Sequence, residues 1–146
     1  MSSSRLVGTS FVEQLGLHFH KRGMDTSGKC NIAAPGSGIY VAIYELSQSD
    51  KAELDEIEGV GFGYTDSIVD IPDFGQCRTY ISERSHVDDY LPAFDWYREL
   101  VLQGCRFHGF PDSYTRRIER VRVVPDPDAS RSDDKWRLVD RLKAAS

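Results

Sequence analysis

Apolar and polar positions change rhythm several times along the chain, and each change predicts an element. Leu15, Leu17 and Phe19 alternate with Gly16, His18 and His20, the period-two pattern of a half-buried strand. The polar, glycine-containing run over residues 21–29 predicts a loop, and residues 30–34 a short strand ended by the turn Pro35-Gly36-Ser37-Gly38. Residues 39–46 are apolar on both faces, with Ile39, Val41 and Ile43 on one and Tyr40, Ala42 and Tyr44 on the other. Such a strand is expected to be buried on both sides and central in its sheet. Residues 50–58 then predict a short helix, with Leu54 and Ile57 marking its inward stripe and Glu53, Asp55 and Glu56 turned toward water. Asp50 and Glu53 fit a capping box, with Ser49 as the alternative cap.

Gly59, Gly61 and Gly63 predict a tight bend after that helix. Residues 65–71 and 76–82 form a hairpin pattern around Pro72-Asp73-Phe74-Gly75. An irregular stretch follows, and Pro92 then suits the first turn of a helix. In it Phe94, Tyr97, Leu100, Val101 and Cys105 recur at helical spacing to about His108, and Gly109 stops it. Asp112 is expected to cap a further helix through Tyr114, Ile118 and Val121. The Pro-, Asp- and Ser-rich residues 123–134 read as a linker. Residues 135–146 read as a last helix with Trp136, Val139 and Leu142 on one side, docked back on the domain rather than used for self-association. The chain thus divides into a domain over residues 1–122, the linker and the C-terminal helix.

Composition narrows the picture. With 146 residues the chain has room for one core, and 40% hydrophobic with 28% charged residues is ordinary for a globular domain. A net charge of -5 without a basic helix face argues against nucleic acid. No apolar run approaches the roughly 20 residues that span a bilayer. Cys30, Cys77 and Cys105 are odd in number and not spaced as a zinc site, so reduced thiols in a cytoplasmic protein are expected.

Candidate chemistry centres on Glu58. It lies four residues after Leu54, beside the inward stripe and at the negative end of its helix, and both circumstances raise a carboxyl pKa toward the range useful for proton transfer. His18 and His20 share a strand face, but no acid or cysteine accompanies them at ligand spacing, and a solvated or hydrogen-bonded strand face is the reading. Gly28-Lys29 is followed by Cys30, so it is not a phosphate loop. Tyr97 falls on the apolar face of its helix, where its hydroxyl needs a partner.

Several stretches in order resemble the γ-glutamylcyclotransferase family: Phe19-His20-Lys21-Arg22 with Gly28-Lys29-Cys30-Asn31-Ile32, the segment Leu54 to Tyr64 ending E-G-V-x-x-G-Y, Asp95-Trp96-Tyr97, and Gly109-Phe110-Pro111. The resemblance implies an α+β fold, a small mixed β-barrel or sheet with flanking helices. It implies cyclisation of a γ-glutamyl amine or peptide to 5-oxoproline with release of the free amine. Glu58 would be the general acid/base, and Tyr97 and Tyr64 would contact the small-molecule γ-glutamyl substrate. No metal or organic cofactor, nucleic acid or membrane is implied, and a homodimer is a possible assembly. The family's first strand and its Y-G-S-N loop have no counterpart, and Met1 is expected to stand at or near the end of that loop. The alternative is therefore a catalytically impaired relative that binds small molecules.

Overall fold

The alternating residues after Gly16 pair as expected, but the strands run further than the pattern suggests. The computed structural model describes residues 3–58, 61 and 63–145. In chain order the elements are β1 Arg5–Val12, β2 Gly16–Arg22, β3 Gly28–Ala33, β4 Ile39–Glu45, α1 Gln48–Glu58, β5 Tyr64–Ile71, β6 Gly75–Ser82, β7 Ala93–Phe94, α2 Asp95–Phe107, α3 Asp112–Glu119, β8 Val123–Val124 and α4 Ala129–Ala145. The architecture is α+β, with four helices and four small sheets among the described residues. β1 pairs with β4, β2 with β3 and β5 with β6, all antiparallel, and β7 pairs with β8 in parallel.

The β5–β6 hairpin keeps one continuous register from Tyr64 opposite Ser82 to Ile71 opposite Gly75. Its turn uses left-handed backbone at Asp73 and Gly75, as the Pro-Asp-Phe-Gly signal predicts. Val12, Ile39, Ile71, Leu102, Cys105, Tyr114 and Ile118 form the core, where α2 and α3 cover the ends of β1, β4 and β5. α4 lies against α2, and Val139 is fully buried there while Leu142 stays 42% exposed.

Five expectations are corrected. β4 is not central: it pairs only with β1 among the described residues, and only Ile39 along it is buried. Val41 and Ile43 instead line an open cavity of about 760 Å³, walled by β3, β4, β5, β6 and α1. The same cavity explains α1, which has no fully buried residue. Leu54 lines it, Ile57 is 65% exposed, and Asp55 faces the sheet rather than water.

α1 also starts earlier than expected. The Ser47 hydroxyl accepts the Asp50 N–H at 3.1 Å, the geometry of an N-cap, while the Asp50 carboxylate accepts from the Ser3 N–H at 3.0 Å and from its hydroxyl. Likewise Pro92 and Ala93 stay outside α2, since the Pro92 carbonyl accepts the Gly28 N–H and Ala93 enters β7.

Residues 123–134 are not a linker. They hold β8 and the first turns of α4, capped by Asp128, whose carboxylate accepts the Arg131 N–H at 3.0 Å. Asp126 is buried among Trp96, Arg131 and the Asp128 N–H.

Candidate functional site

β2 brings the first component. Its apolar register Leu17, Phe19 continues to position 21, so Lys21 points inward and is buried. Its ammonium sits 4.4 Å from the centroid of the Tyr64 ring, a cation–π contact. Gly63 eases the approach: its φ of +141° is one that side chains rarely adopt, and a Cβ there would crowd Lys21 Nζ at 3.1 Å. Gly59, Val60 and Phe62 of the expected glycine bend lie outside the described residues.

Tyr64 and Tyr97 come together on one residue of β3. The Tyr64 hydroxyl donates to the Cys30 carbonyl at 2.7 Å, and the Tyr97 hydroxyl accepts from the Cys30 N–H at 2.9 Å. Both tyrosines therefore brace an unpaired stretch of β3 backbone, which answers the question of what partners a buried Tyr97 hydroxyl. Burial and the neighbouring Cys30 push both phenols well above their usual range, so they act as neutral hydrogen-bonding groups. Burial likewise pushes the Cys30 thiol up to about 11.

Glu58 closes the group from the end of α1. It is half-buried, and burial raises its carboxyl pKa while the charge of Lys21 draws it partly back. Its field reaches both Lys21 and Tyr64. Glu58, Lys21, Tyr64, Cys30 and Tyr97 are thus one neighbourhood assembled from α1, β2, β5, β3 and α2. It offers a carboxyl group of raised pKa, a buried cation and two neutral hydroxyls.

The surrounding loop is rigidly built. Lys29 is held by Asp25 at 2.9 Å and boxed by the rings of Trp96 and Tyr97 at 4.8 and 4.5 Å, so it is structural and not a phosphate lysine. Burial pushes the Asp25 carboxyl up, but hydrogen bonds from Lys29 and Ser27 outweigh it and hold it below the usual range. Gly28 is required by close approach, since a Cβ there would meet the Phe19 carbonyl oxygen at 2.2 Å. His18 and His20 stack at 4.8 Å, and His20 is anchored by Asp89 and Asn31 at 3.0 and 2.9 Å, the hydrogen-bonded strand face that was expected.

The 760 Å³ cavity lies elsewhere. Glu58 and Tyr97 do not line it, and Tyr64 meets it only through ring contact with Tyr80 at 6.3 Å. Its polar end is a network in which Lys51 joins Asp55 and Asp66, Arg78 meets Asp66 at 3.0 Å, and Tyr80 donates to Asp55 at 2.7 Å. That network is satisfied internally, except for the buried Asp66 Oδ1. Sequence reasoning missed Lys21 by assigning it to a loop. The signal was the period of two through Leu17 and Phe19, whose burial alternation reaches Lys21 although the pairing with β3 shifts register between His18 and Lys21.

The sequence profile of the AIG2-like family matches residues 38–118. Among curated proteins none matches the chain. A solved structure of a gamma-glutamyl cyclotransferase superposes with a TM-score of 0.81 at 18% identity, covering 96% of this chain and 87% of that one. An uncharacterized protein from Homo sapiens superposes with a TM-score of 0.80 at 19% identity, covering 95% and 86%.

Proposed function

The chain belongs to the AIG2-like family, and from that premise we propose that it is an enzyme of γ-glutamyl cyclotransferase type with Glu58 as its general acid/base. The observation that carries the reading is the half-buried Glu58 carboxyl, its pKa raised by burial, within electrostatic reach of the Lys21 ammonium that lies over the Tyr64 ring. A likeness at 18% identity to a gamma-glutamyl cyclotransferase supports the choice of reaction through the fold alone.

The chemistry suits these groups. In a γ-glutamyl amide the α-amino nitrogen attacks the γ-carbonyl carbon and closes a five-membered ring. The Glu58 carboxylate takes the proton released by that nitrogen. It then passes the proton to the departing amine as the γ-amide C–N bond breaks, leaving 5-oxoproline and the free amine. One carboxyl group serves both transfers better when its pKa lies above the ordinary carboxylate range, the direction that burial imposes. Tyr97 and Tyr64, with hydroxyls fixed on Cys30, form a firm wall for the substrate.

The test is release of 5-oxoproline from γ-glutamyl dipeptides by the purified chain, with Glu58→Gln compared in parallel. Turnover is expected, and the substitution should lower kcat by ~10²–10⁴, the usual worth of a positioned acid/base. Equal turnover by both forms refutes the role of Glu58. A second reading, a small-molecule-binding module without turnover, is favoured by one observation: both tyrosine hydroxyls are already engaged by Cys30. Calorimetric binding of γ-glutamyl dipeptides with no 5-oxoproline formed would establish it instead.

A further inference from the structure

Among the described residues, Lys21 is the buried cation of this neighbourhood whose ammonium has no oxygen partner. Lys29 has Asp25, and Lys51 has Asp55 and Asp66. Lys21 Nζ makes no hydrogen bond or ion pair among the described residues, and its contact is the face of Tyr64. Burial disfavours its charge, while the nearest compensation is the more distant field of Glu58. An ammonium that solvent still reaches, held on an aromatic face with no protein oxygen bonded to it, is a seat for an anion.

The geometry points to the α-carboxylate of the γ-glutamyl group as that anion, with Lys21 the residue that selects it. The inference rests on the cyclotransferase reading for the substrate class. In that substrate the α-amine and the α-carboxylate share one carbon. A carboxylate that receives the amine proton and a cation that binds the carboxylate must therefore belong to one neighbourhood, and Glu58 and Lys21 are near enough for each to act on the other's charge. The aromatic face of Tyr64 holds the ammonium without neutralising it. Gly63 leaves the space beside Nζ free of a side chain, and the ring of His86 borders the same space. The positive charges of Lys29 and Arg22 reinforce the preference for an anion, and Asp25 and Glu58 oppose it. Lys21 gains a charge-assisted hydrogen bond on binding, so its contribution falls on affinity and on discrimination rather than on proton transfer.

The test separates binding from turnover. 5-Oxoproline carries this carboxylate on the product ring, and 2-pyrrolidinone is the same ring without it. Wild-type protein, observed through the Lys21 Cε resonance and the backbone amides of Gly63 and Tyr64, should respond to 5-oxoproline and bind it about tenfold or more tightly than 2-pyrrolidinone, the worth of one hydrogen bond between charged groups. Lys21→Met keeps the aliphatic stem on Tyr64 and should erase that preference, whereas Lys21→Arg should retain most of it. If turnover is found, Lys21→Met should raise KM for γ-glutamyl dipeptides by a similar factor, with kcat changed far less, and should cease to discriminate against their α-amides. Equal binding of the two rings by wild type, or a preference that survives Lys21→Met, overturns the proposal. Should Lys21→Met fail to fold, the wild-type comparison of the two rings decides it alone. Preference for 5-oxoproline with no cyclisation of any dipeptide would sustain the anion seat and refute the enzyme.

Discussion

Tyr64 gives its hydroxyl proton to the carbonyl oxygen of Cys30, 2.7 Å away, and so ties β5 to a strand 34 positions earlier. Replacing Tyr64 with Phe keeps the ring under Lys21 but strands a half-buried carbonyl. The expected loss is about 1–3 kcal/mol of stability, the cost of leaving such an acceptor unsatisfied. Urea denaturation of Tyr64→Phe measures it. Tyr97→Phe, which strands the Cys30 N–H, should cost a similar amount. A double substitution should cost less than the sum, because both hydroxyls brace the backbone of the same residue, Cys30.

Much of this arrangement is readable in the sequence, and the exceptions share a cause. The β5–β6 hairpin was legible to within a residue because its signals are local: alternation, then Pro-Asp-Phe-Gly. Tyr97 was legible as a buried hydroxyl in need of a partner, but nothing local could say that the partner is Cys30, 67 positions away. The start of α1 was misplaced for the same reason. Asp50 and Ser49 are the caps that the pattern suggests, but Ser47 takes the role while Ser3, from the other end of β1, accepts its N–H and donates to Asp50. Ile57 was expected inward because helical spacing presumes a filled core under α1, whereas the helix lies over a cavity. Lys21 was hidden by its residue type. A charged side chain ended the apolar pattern on paper while the strand continued through it.

Glu58 yields a prediction about pH that does not depend on substrate. Burial raises its pKa in the folded chain above the unfolded value of about 4.3. A carboxyl group raised on folding holds its proton more tightly in the native state. Near neutral pH, where it is ionised, the fold therefore carries a cost, and that cost disappears once pH falls below the unfolded value. Glu58→Gln should accordingly melt higher than wild type near neutral pH, with the difference shrinking toward zero at about pH 4. Thermal melts across that range test it. A Gln variant less stable than wild type at neutral pH would show that Glu58 is held by favourable contacts instead.

The thiols should differ in reactivity. Burial raises the Cys30 thiol to about 11, and Cys105 is also buried and raised, while Cys77 is half-buried on β6 at the wall of the open cavity. Because the thiolate is the reacting form, iodoacetamide at mildly alkaline pH should modify Cys77 first and leave Cys30 and Cys105 largely unmodified in the folded protein. Peptide mass spectrometry with time gives the order. Early modification of Cys30 would mean that β2 and β3 open readily around the candidate site.

The C-terminal segment offers the sharpest stability test. Arg131 donates to both oxygens of Asp126, each bond 2.6 Å, and Trp96 Nε1 and the Asp128 N–H add bonds of 2.9 Å each. The Asp126 side chain is fully buried, and these donors, Arg131 foremost, hold its carboxyl well below the usual range. A depressed carboxyl pKa contributes stability that is complete above the unfolded value of about 3.9 and is lost as pH falls through the folded one. Wild type should therefore lose stability on acidification below about pH 4 more steeply than Asp126→Asn. Near neutral pH, Asp126→Asn should lower the melting temperature several times more than Asp134→Asn, since the Asp134–Arg137 pair is exposed on both sides. Hydrogen exchange adds the structural readout. With Asp126 neutral, protection should fall in α4 and at the start of α2, where Trp96 is anchored, while the β5–β6 hairpin keeps its protection. Uniform loss of protection across the chain would mean that α4 and the sheets unfold as one unit, and would refute a local role for the Asp126 cluster.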